Sequence, residues 1–296
     1  MTIIYLYRSL AAFGGVERIF IDKANYLAEH YGYHVYIITW EQGGHSIVYP
    51  LSPKVTHVDW GILFYRQYQY GLFKRMFMQW KMEKEFFKKL SNFVHTTQAD
   101  IVIGASCEFT TMAGMDLLQR KTHTILETHS MRTSIEKNNP PAGNLLMRWA
   151  FKRRDKQLHQ YIKHMSAFVT LTHNDAKDWS DITPQARIIP NMLHRYPAEI
   201  SPDKKTQKRI ITAGRLVEQK GYDLLLDAWS KVHQKHPEWI LDIYGEGEDK
   251  TMLLEKRKNL ALENSVLFLN PEKPDVPLNK NDAFQKVQKR RVQEKR

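Results

Sequence analysis

The sequence contains very little cysteine, no long apolar run and no cluster of metal ligands. Its 296 residues include one cysteine, Cys107, so no disulfide can form within the chain. No run of about 18 apolar residues occurs, which excludes a membrane-spanning helix. The apolar stretch near the start, Ile3–Tyr7, is too short for the core of a signal peptide. We therefore expect a cytoplasmic protein in which Cys107 is a buried, unreactive thiol.

Several catalytic motifs are also missing. The sequence has no Asp-x-Asp pair and no Cys/His cluster of the kind that holds zinc. A Walker phosphate loop and a Gly-x-Ser-x-Gly nucleophile turn are absent as well. These absences exclude the commonest zinc, P-loop and hydrolase sites.

The charge is strongly basic. The chain has 44 Lys and Arg against 32 Asp and Glu, a net charge of +12. Such a charge favours anionic partners, namely nucleic acid, anionic lipid or a phosphorylated substrate. The last twelve residues, 285–296, hold six Lys or Arg and one Glu. No nucleic-acid-binding module is recognisable, so we expect no nucleic acid partner, although a basic nucleic-acid-binding protein remains an alternative.

Strand patterns alternate with helix patterns along the chain, which is typical of an α/β protein with a doubly wound parallel sheet. Short apolar runs predict strands, and apolar residues three and four apart predict the helices between them. In the first half the predicted strands are 3–7, 34–40, 55–60, 101–105, 124–128 and 167–171. One predicted helix there follows Gly15, and the others cover residues 73–95, 109–119, 144–163 and 174–180.

The alternation stops at a segment rich in proline and charge and then begins again. We predict a first domain at residues 1–190, a linker at 191–208 and a second domain at 209–270. The second domain has strands at 210–214, 239–244 and 265–269 and helices at 221–235 and 249–260, which is half of a doubly wound domain. Residues 271–296 read as an irregular basic tail.

The most informative segment is Ala213–Trp229, AGRLVEQKGYDLLLDAW. It places two cations, Arg215 and Lys220, in a loop between a strand and a helix. Cations beside the free N–H groups of a helix start suit a diphosphate. The segment closely resembles the donor-phosphate loop of family 4 glycosyltransferases, retaining enzymes of the GT-B fold with two Rossmann-like domains.

The resemblance implies transfer of a sugar from a nucleotide sugar to a hydroxyl acceptor in surface polysaccharide or glycolipid synthesis. In that family the counterparts of Arg215 and Lys220 neutralise the donor diphosphate. A Gly-x-Gly turn near the nucleotide matches Gly245 and Gly247. The family also implies a retaining outcome, no metal and no cofactor, since the nucleotide sugar is a substrate.

Further family features fall in the first domain. Gly14 and Gly15 open the first helix in GGVER. The resemblance implies that these two glycines bind the donor and that Glu17 and Arg18 lie on the acceptor side of the cleft. His129 stands where relatives carry a His that contacts the donor sugar or the reacting centre. The resemblance also implies that Thr172 and Asn191 lie on the acceptor side of the cleft. Their simpler roles are a helix cap for Thr172 and a loop-shaping residue for Asn191.

One family motif is missing. An E-x7-E segment should follow the third strand of the second domain, and no part of the sequence matches it. We therefore expect an incomplete second domain, with the reading frame truncated or shifted near residues 270–285. An inactive or partner-dependent fragment is the alternative to an active enzyme.

Aromatic and basic residues alternate in two stretches, 66–95 and 147–164, which overlap two of the predicted helices. Basic amphipathic helices can lie in an anionic bilayer surface. A core-facing apolar stripe with a solvated charged face would give the same pattern. The expected partners are thus a nucleotide sugar, a glycan or lipid-linked acceptor, and the anionic inner face of a membrane.

Overall fold

The computed structural model describes residues 1–12, 14–105, 107–118, 122–130, 132, 145–192 and 208–270. The chain divides into two compact units, Met1–His194 and Arg195–Arg296. Most of the predicted linker and the whole of the predicted tail lie outside the described residues. Within the described part, no helix combines the length and the apolar character that crossing a bilayer requires.

A seven-stranded sheet forms the centre of the first unit. All neighbouring strands are parallel, in the order β3-β2-β1-β4-β5-β6-β7. The strands are β1 (Thr2–Leu6), β2 (His34–Thr39), β3 (Val55–Asp59), β4 (Ile101–Gly104), β5 (His123–Glu127), β6 (Ala167–Thr170) and β7 (Arg187–Ile188). The order reverses between β1 and β4, which is where open α/β sheets bind ligands.

Helices cover both faces of this sheet because successive strand residues point to opposite sides. Ile3 and Tyr5 of β1 pack in the core with α1, whereas Ile4 and Leu6 pack in the core with α2 and α3. The helices are α1 (Gly15–His30), α2 (Leu72–Thr97), α3 (Phe109–Asp116), α4 (Leu145–His164) and α5 (His173–Asp178). A 3-10 turn at Phe64–Gln69 precedes α2.

The second unit is smaller. Its three parallel strands, in the order β10-β9-β8, are β8 (Arg209–Ala213), β9 (Ile240–Tyr244) and β10 (Val266–Leu269). Its helices are α6 (Tyr222–Lys235) and α7 (Lys250–Asn259). The core of this unit joins Trp229 of α6 to Leu241, Ile243 and Val266 of the sheet.

The predicted α/β fold class is therefore confirmed, with one large parallel sheet and a smaller one. Strand β7 and the 3-10 turn before α2 were not predicted. A strand of two residues is too short to show an apolar alternation, and its pairing with β6 depends on tertiary contacts alone.

Candidate functional site

The Arg215 loop runs along the carboxyl end of the second sheet. Backbone bonds fix it to the turn after β9: the Gly214 amide donates to the Tyr244 carbonyl at 3.0 Å, and the Leu216 amide donates to the Glu246 carbonyl at 2.9 Å. The Leu216 carbonyl in turn accepts from the Asp249 amide at 3.1 Å. The loop backbone is therefore held in place on both sides of Arg215.

Close backbone packing within this unit explains why glycine occupies both positions of the Gly-x-Gly turn. A Cβ atom on Gly245 would lie 2.0 Å from the Gly214 carbonyl oxygen, and one on Gly247 would lie 2.1 Å from the Leu216 carbonyl oxygen. No side chain fits at either position, so the glycines allow the two loops to pack backbone against backbone. The turn thereby positions the loop that carries Arg215.

Arg215 and Lys220 are both exposed. Among the residues that the structure describes, neither cation takes part in an ion pair or a side-chain hydrogen bond. Lys220 ends a 3-10 turn, and Gly221 then adopts a left-handed conformation (φ 64°) and begins α6. The sequence thus places two unpaired cations close to a helix N-terminus, where the helix dipole favours an anion.

A hollow with a cavity volume of about 210 Å³ lies beside this loop, between the starts of α6 and α7. Three carboxylates, Glu218, Asp223 and Asp249, line it. They offer hydrogen-bond acceptors for hydroxyl groups rather than a place for phosphate. The remaining lining residues are Val217, Tyr222, Met252 and Leu253.

In the first unit, Gly14 caps α1 without any side-chain hydrogen bond. The carboxylate of Glu17 folds back over this helix start and accepts a hydrogen bond from the Tyr7 hydroxyl at 3.1 Å. Burial, and then the neighbouring Glu17 carboxylate, raise the pKa of Tyr7 well above its ordinary value. A Cβ atom on Gly15 would meet nothing within 4 Å, so that side of the turn is open. Arg18 contacts Asp22 at 3.9 Å and lies over the ring of Tyr49.

His129 follows β5 and is almost fully buried, with 4% of its side chain exposed. Its Nε2 lies 3.5 Å from Glu127 Oε2, and neither ring nitrogen has a partner of good hydrogen-bond geometry among the described residues. The same Glu127 oxygen accepts from Lys23 Nζ of α1 at 2.8 Å. Burial raises the pKa of Glu127, but His129 and Lys23 outweigh it, so the pKa lies below the ordinary value.

The Lys23–Glu127 pair was not predicted from the sequence. The two residues are 104 positions apart, and a lysine on an apolar-striped helix gives no signal of burial. Arg8 was missed in the same way: it follows β1 and pairs with Glu41 after β2. The position of Arg8 directly after a central strand could have indicated it, since ligand-binding residues collect there.

Two other predicted site residues, Thr172 and Asn191, lie at a helix cap and in an exposed segment. The Thr172 hydroxyl accepts from the Asp175 amide at 3.1 Å and caps α5. Asn191 is exposed after β7, and no hydrogen bond of its side chain was found in the described part of the chain. Cys107 is partly buried, and burial raises the pKa of its thiol to about 12, which agrees with an unreactive cysteine.

Most of the predicted site residues thus fall into two groups, each within one unit. Gly245 and Gly247 pack against the Arg215 loop in the second unit. In the first unit, helix α1 begins at the Gly14 turn, and its Lys23 contacts Glu127, which lies beside His129.

Comparison with known proteins finds glycosyltransferases. Residues 198–283 match the family described as glycosyl transferases group 1. An uncharacterized glycosyltransferase of Haemophilus influenzae is 27% identical over 282 residues, which are 92% of this chain and 69% of that protein. The amylovoran biosynthesis glycosyltransferase AmsD of Erwinia amylovora is 44% identical over 83 residues, 28% of this chain and 22% of AmsD.

Solved structures share the fold at low sequence identity. The crystal structure of TarM has a TM-score of 0.65 at 12% identity, covering 93% of this chain and 77% of TarM. A glycosyltransferase from Rickettsia africae has a TM-score of 0.62 at 18% identity, covering 95% of this chain and 70% of the other. The match to glycosyl transferases group 1 thus lies in residues 198–283, and the chain shares the GT-B type of fold with these solved structures.

Proposed function

We propose that the protein transfers a sugar from a nucleotide sugar to a hydroxyl group of a glycan or lipid-linked acceptor. The observation that carries this proposal is the Arg215 loop. Its backbone is fixed by the turn after β9, while both of its cations remain exposed and unpaired among the described residues. Cations on a fixed backbone that have no partner among the described residues are available for an anionic substrate.

In this proposal Arg215 and Lys220 bind the diphosphate of the donor. As the bond between sugar and phosphate breaks, the leaving nucleoside diphosphate gains negative charge. Cations held beside that charge stabilise the transition state more than the ground state and therefore lower the barrier. The N-terminus of α6 adds a favourable dipole at the same place. Gly245 and Gly247 contribute by setting the course of the loop.

For His129 we propose a position at the reacting centre, contacting the donor sugar or the acceptor. A buried imidazole with both nitrogens lacking good partners is costly unless a ligand supplies them. Gly14 and Gly15 would let a substrate approach the start of α1, with Glu17 and Arg18 on the acceptor side. We retain Thr172 and Asn191 as parts of that side, the former with its capping role.

The finer features of the reaction are part of the same proposal. We propose a retaining outcome that needs neither a metal ion nor a cofactor, in a cytoplasmic enzyme of surface polysaccharide synthesis. The similarity to AmsD, named for amylovoran biosynthesis, supports the polysaccharide class. Product anomers assigned by NMR would test retention. Unchanged turnover in EDTA would agree with metal independence, and loss of turnover restored by a divalent ion would contradict it.

Donor binding by the purified chain tests the central assignment. UDP is the first probe, because a TarM structure of the same fold was determined with UDP. GDP, dTDP and CDP complete the panel. We expect Arg215→Ala and Lys220→Ala each to weaken diphosphate binding, and to lower kcat by about a hundredfold or more where turnover is seen.

Lys235→Ala is the matched control, since Lys235 is an exposed cation in the last turn of the same helix. Equal losses in all three variants would overturn the assigned roles. Failure of the intact chain to bind any of the four diphosphates would favour the alternative of an inactive or partner-dependent glycosyltransferase. The nucleic-acid alternative predicts a salt-sensitive shift of DNA, which the glycosyltransferase proposal does not.

A further inference from the structure

Helix α2 has an exposed apolar face that the protein core does not use. Two series of residues four apart form it, and residues four apart fall about 40° apart around a helix. We call this set the aromatic face. Its members and exposed fractions are Leu72 (69%), Phe73 (86%), Met76 (61%), Phe77 (59%) and Trp80 (52%).

The same helix is anchored by a different face. Met82, Phe86, Leu90 and Val94, again four apart, are buried against the sheet and hold the second half of α2 in the core. The aromatic face lies nearer the start of the helix, before the first of these buried residues. It therefore has no part in covering the sheet, and large exposed apolar patches mark interaction sites.

Positive charge surrounds the aromatic face. Residues 64–82 contain four basic residues and no acidic one. Two of the cations pack on tyrosines beside the face: Lys74 Nζ lies 4.2 Å from the ring centre of Tyr70, and the Arg75 guanidinium lies 4.3 Å from that of Tyr68. These contacts hold the charges next to the apolar residues instead of away from them.

We propose that the aromatic face docks on the surface of an anionic lipid bilayer. Aromatic and long aliphatic side chains enter the boundary between headgroups and acyl chains, where Trp and Tyr are favoured. The surrounding cations bind anionic headgroups. A second copy of this chain fits the surface less well, because a symmetric contact would bring two sets of like charges together.

This proposal does not depend on the proposed glycosyl transfer, because vesicle binding is measured without any donor. The full chain is sedimented with vesicles of phosphatidylcholine alone or mixed with phosphatidylglycerol. We expect binding to the mixed vesicles that weakens as salt is raised. Absence of binding to the mixed vesicles at low salt would overturn the proposal.

Two variants separate the apolar and the charged parts. The triple variant Phe73→Ser, Phe77→Ser and Trp80→Ser should weaken binding to the mixed vesicles by at least about tenfold. Its control replaces three similarly exposed residues elsewhere by serine, Tyr31, Leu117 and Leu224. Because all six positions are exposed, both variants should fold.

The charge variant reverses Lys74, Arg75 and Lys81 to Glu and should weaken binding by a similar factor or more. Its control reverses Lys231, Lys235 and Lys258, which are exposed cations of the second unit, so the net charge of the two variants is equal. Equal loss in both would mean that net charge alone drives adsorption and would overturn the proposal. Dimerisation of the intact chain that is abolished by the serine variant would assign the face to a second copy instead.

Discussion

Replacing Lys23 by methionine should destabilise the first unit, because it leaves the Glu127 carboxylate buried without its main cation. The pair joins α1 to the end of β5 through one contact of 2.8 Å, with 18% of the lysine side chain and 10% of the glutamate side chain exposed. Methionine keeps the aliphatic volume of lysine, so the loss of packing is small and the effect is electrostatic.

The magnitude follows from the burial of the pair. Removing one partner of a fully buried ion pair costs about 3–5 kcal/mol. Because both side chains keep some exposure, and the nearby His129 remains, we expect a loss of about 2–3 kcal/mol in the free energy of unfolding at neutral pH. The double variant Lys23→Met with Glu127→Gln should recover most of this loss, since a neutral amide avoids the uncompensated charge.

The effect should depend on pH in a defined direction. In the native protein the pKa of Glu127 lies below its ordinary value, so the carboxylate contributes stability above that ordinary value. This contribution is lost as the pH falls through the folded pKa. In Lys23→Met we expect burial to dominate and the pKa of Glu127 to rise. The difference between the two proteins should therefore be largest at neutral pH and should shrink below about pH 4.

Urea unfolding followed by tryptophan fluorescence measures the free energy of unfolding of the first unit at each pH, since five of the seven tryptophans belong to residues 1–194. Glu85→Gln is the control, because it breaks an exposed ion pair with Lys89 and should change stability by less than about 0.5 kcal/mol. The reasoning would be refuted if Lys23→Met were as stable as the native protein at neutral pH, or if the added Glu127→Gln change restored nothing.

Three further outcomes are expected from other contacts. Gly245→Ala should lower the melting temperature of the second unit, measured by calorimetry, because its Cβ atom would lie 2.0 Å from a carbonyl oxygen of the neighbouring loop; an unchanged transition would contradict the close packing. Asp242→Asn should cost about 1–3 kcal/mol in urea unfolding, because the buried carboxylate accepts two hydrogen bonds from the Arg209 guanidinium; a neutral result would mean that the pair is dispensable. Cys107, whose thiol pKa burial raises to about 12, should not react with a disulfide reagent at pH 8 until denaturant is added.

Sequence reasoning recovered the regular elements because their signals are local. The stripe of α1 and the apolar run of β4 are visible in any short window of the sequence, and both occur as predicted. The Arg215 loop was equally visible, because its glycines and cations lie within nine residues. Its chemical role remains a prediction.

Pairings between distant residues were not recoverable. Lys23 and Glu127 are separated by 104 positions, and only the parallel order of the sheet brings α1 to the end of β5. The reason for Gly245 was hidden in the same way, since the oxygen that excludes its side chain belongs to Gly214 on the neighbouring strand's loop. In both cases the contact comes from the sheet order rather than from the local sequence.

Helix α2 shows which features the sequence determines and which depend on the tertiary structure. The sequence by itself predicted a helix over residues 73–95 with interleaved aromatic and basic residues, because helical periodicity is a local property, and the structure has that helix at Leu72–Thr97. It could not decide which apolar residues cover the sheet, since Phe77 and Phe86 look alike in the sequence. Only the tertiary structure decided that Phe86 is buried and Phe77 exposed, because burial depends on what the rest of the chain places against each face.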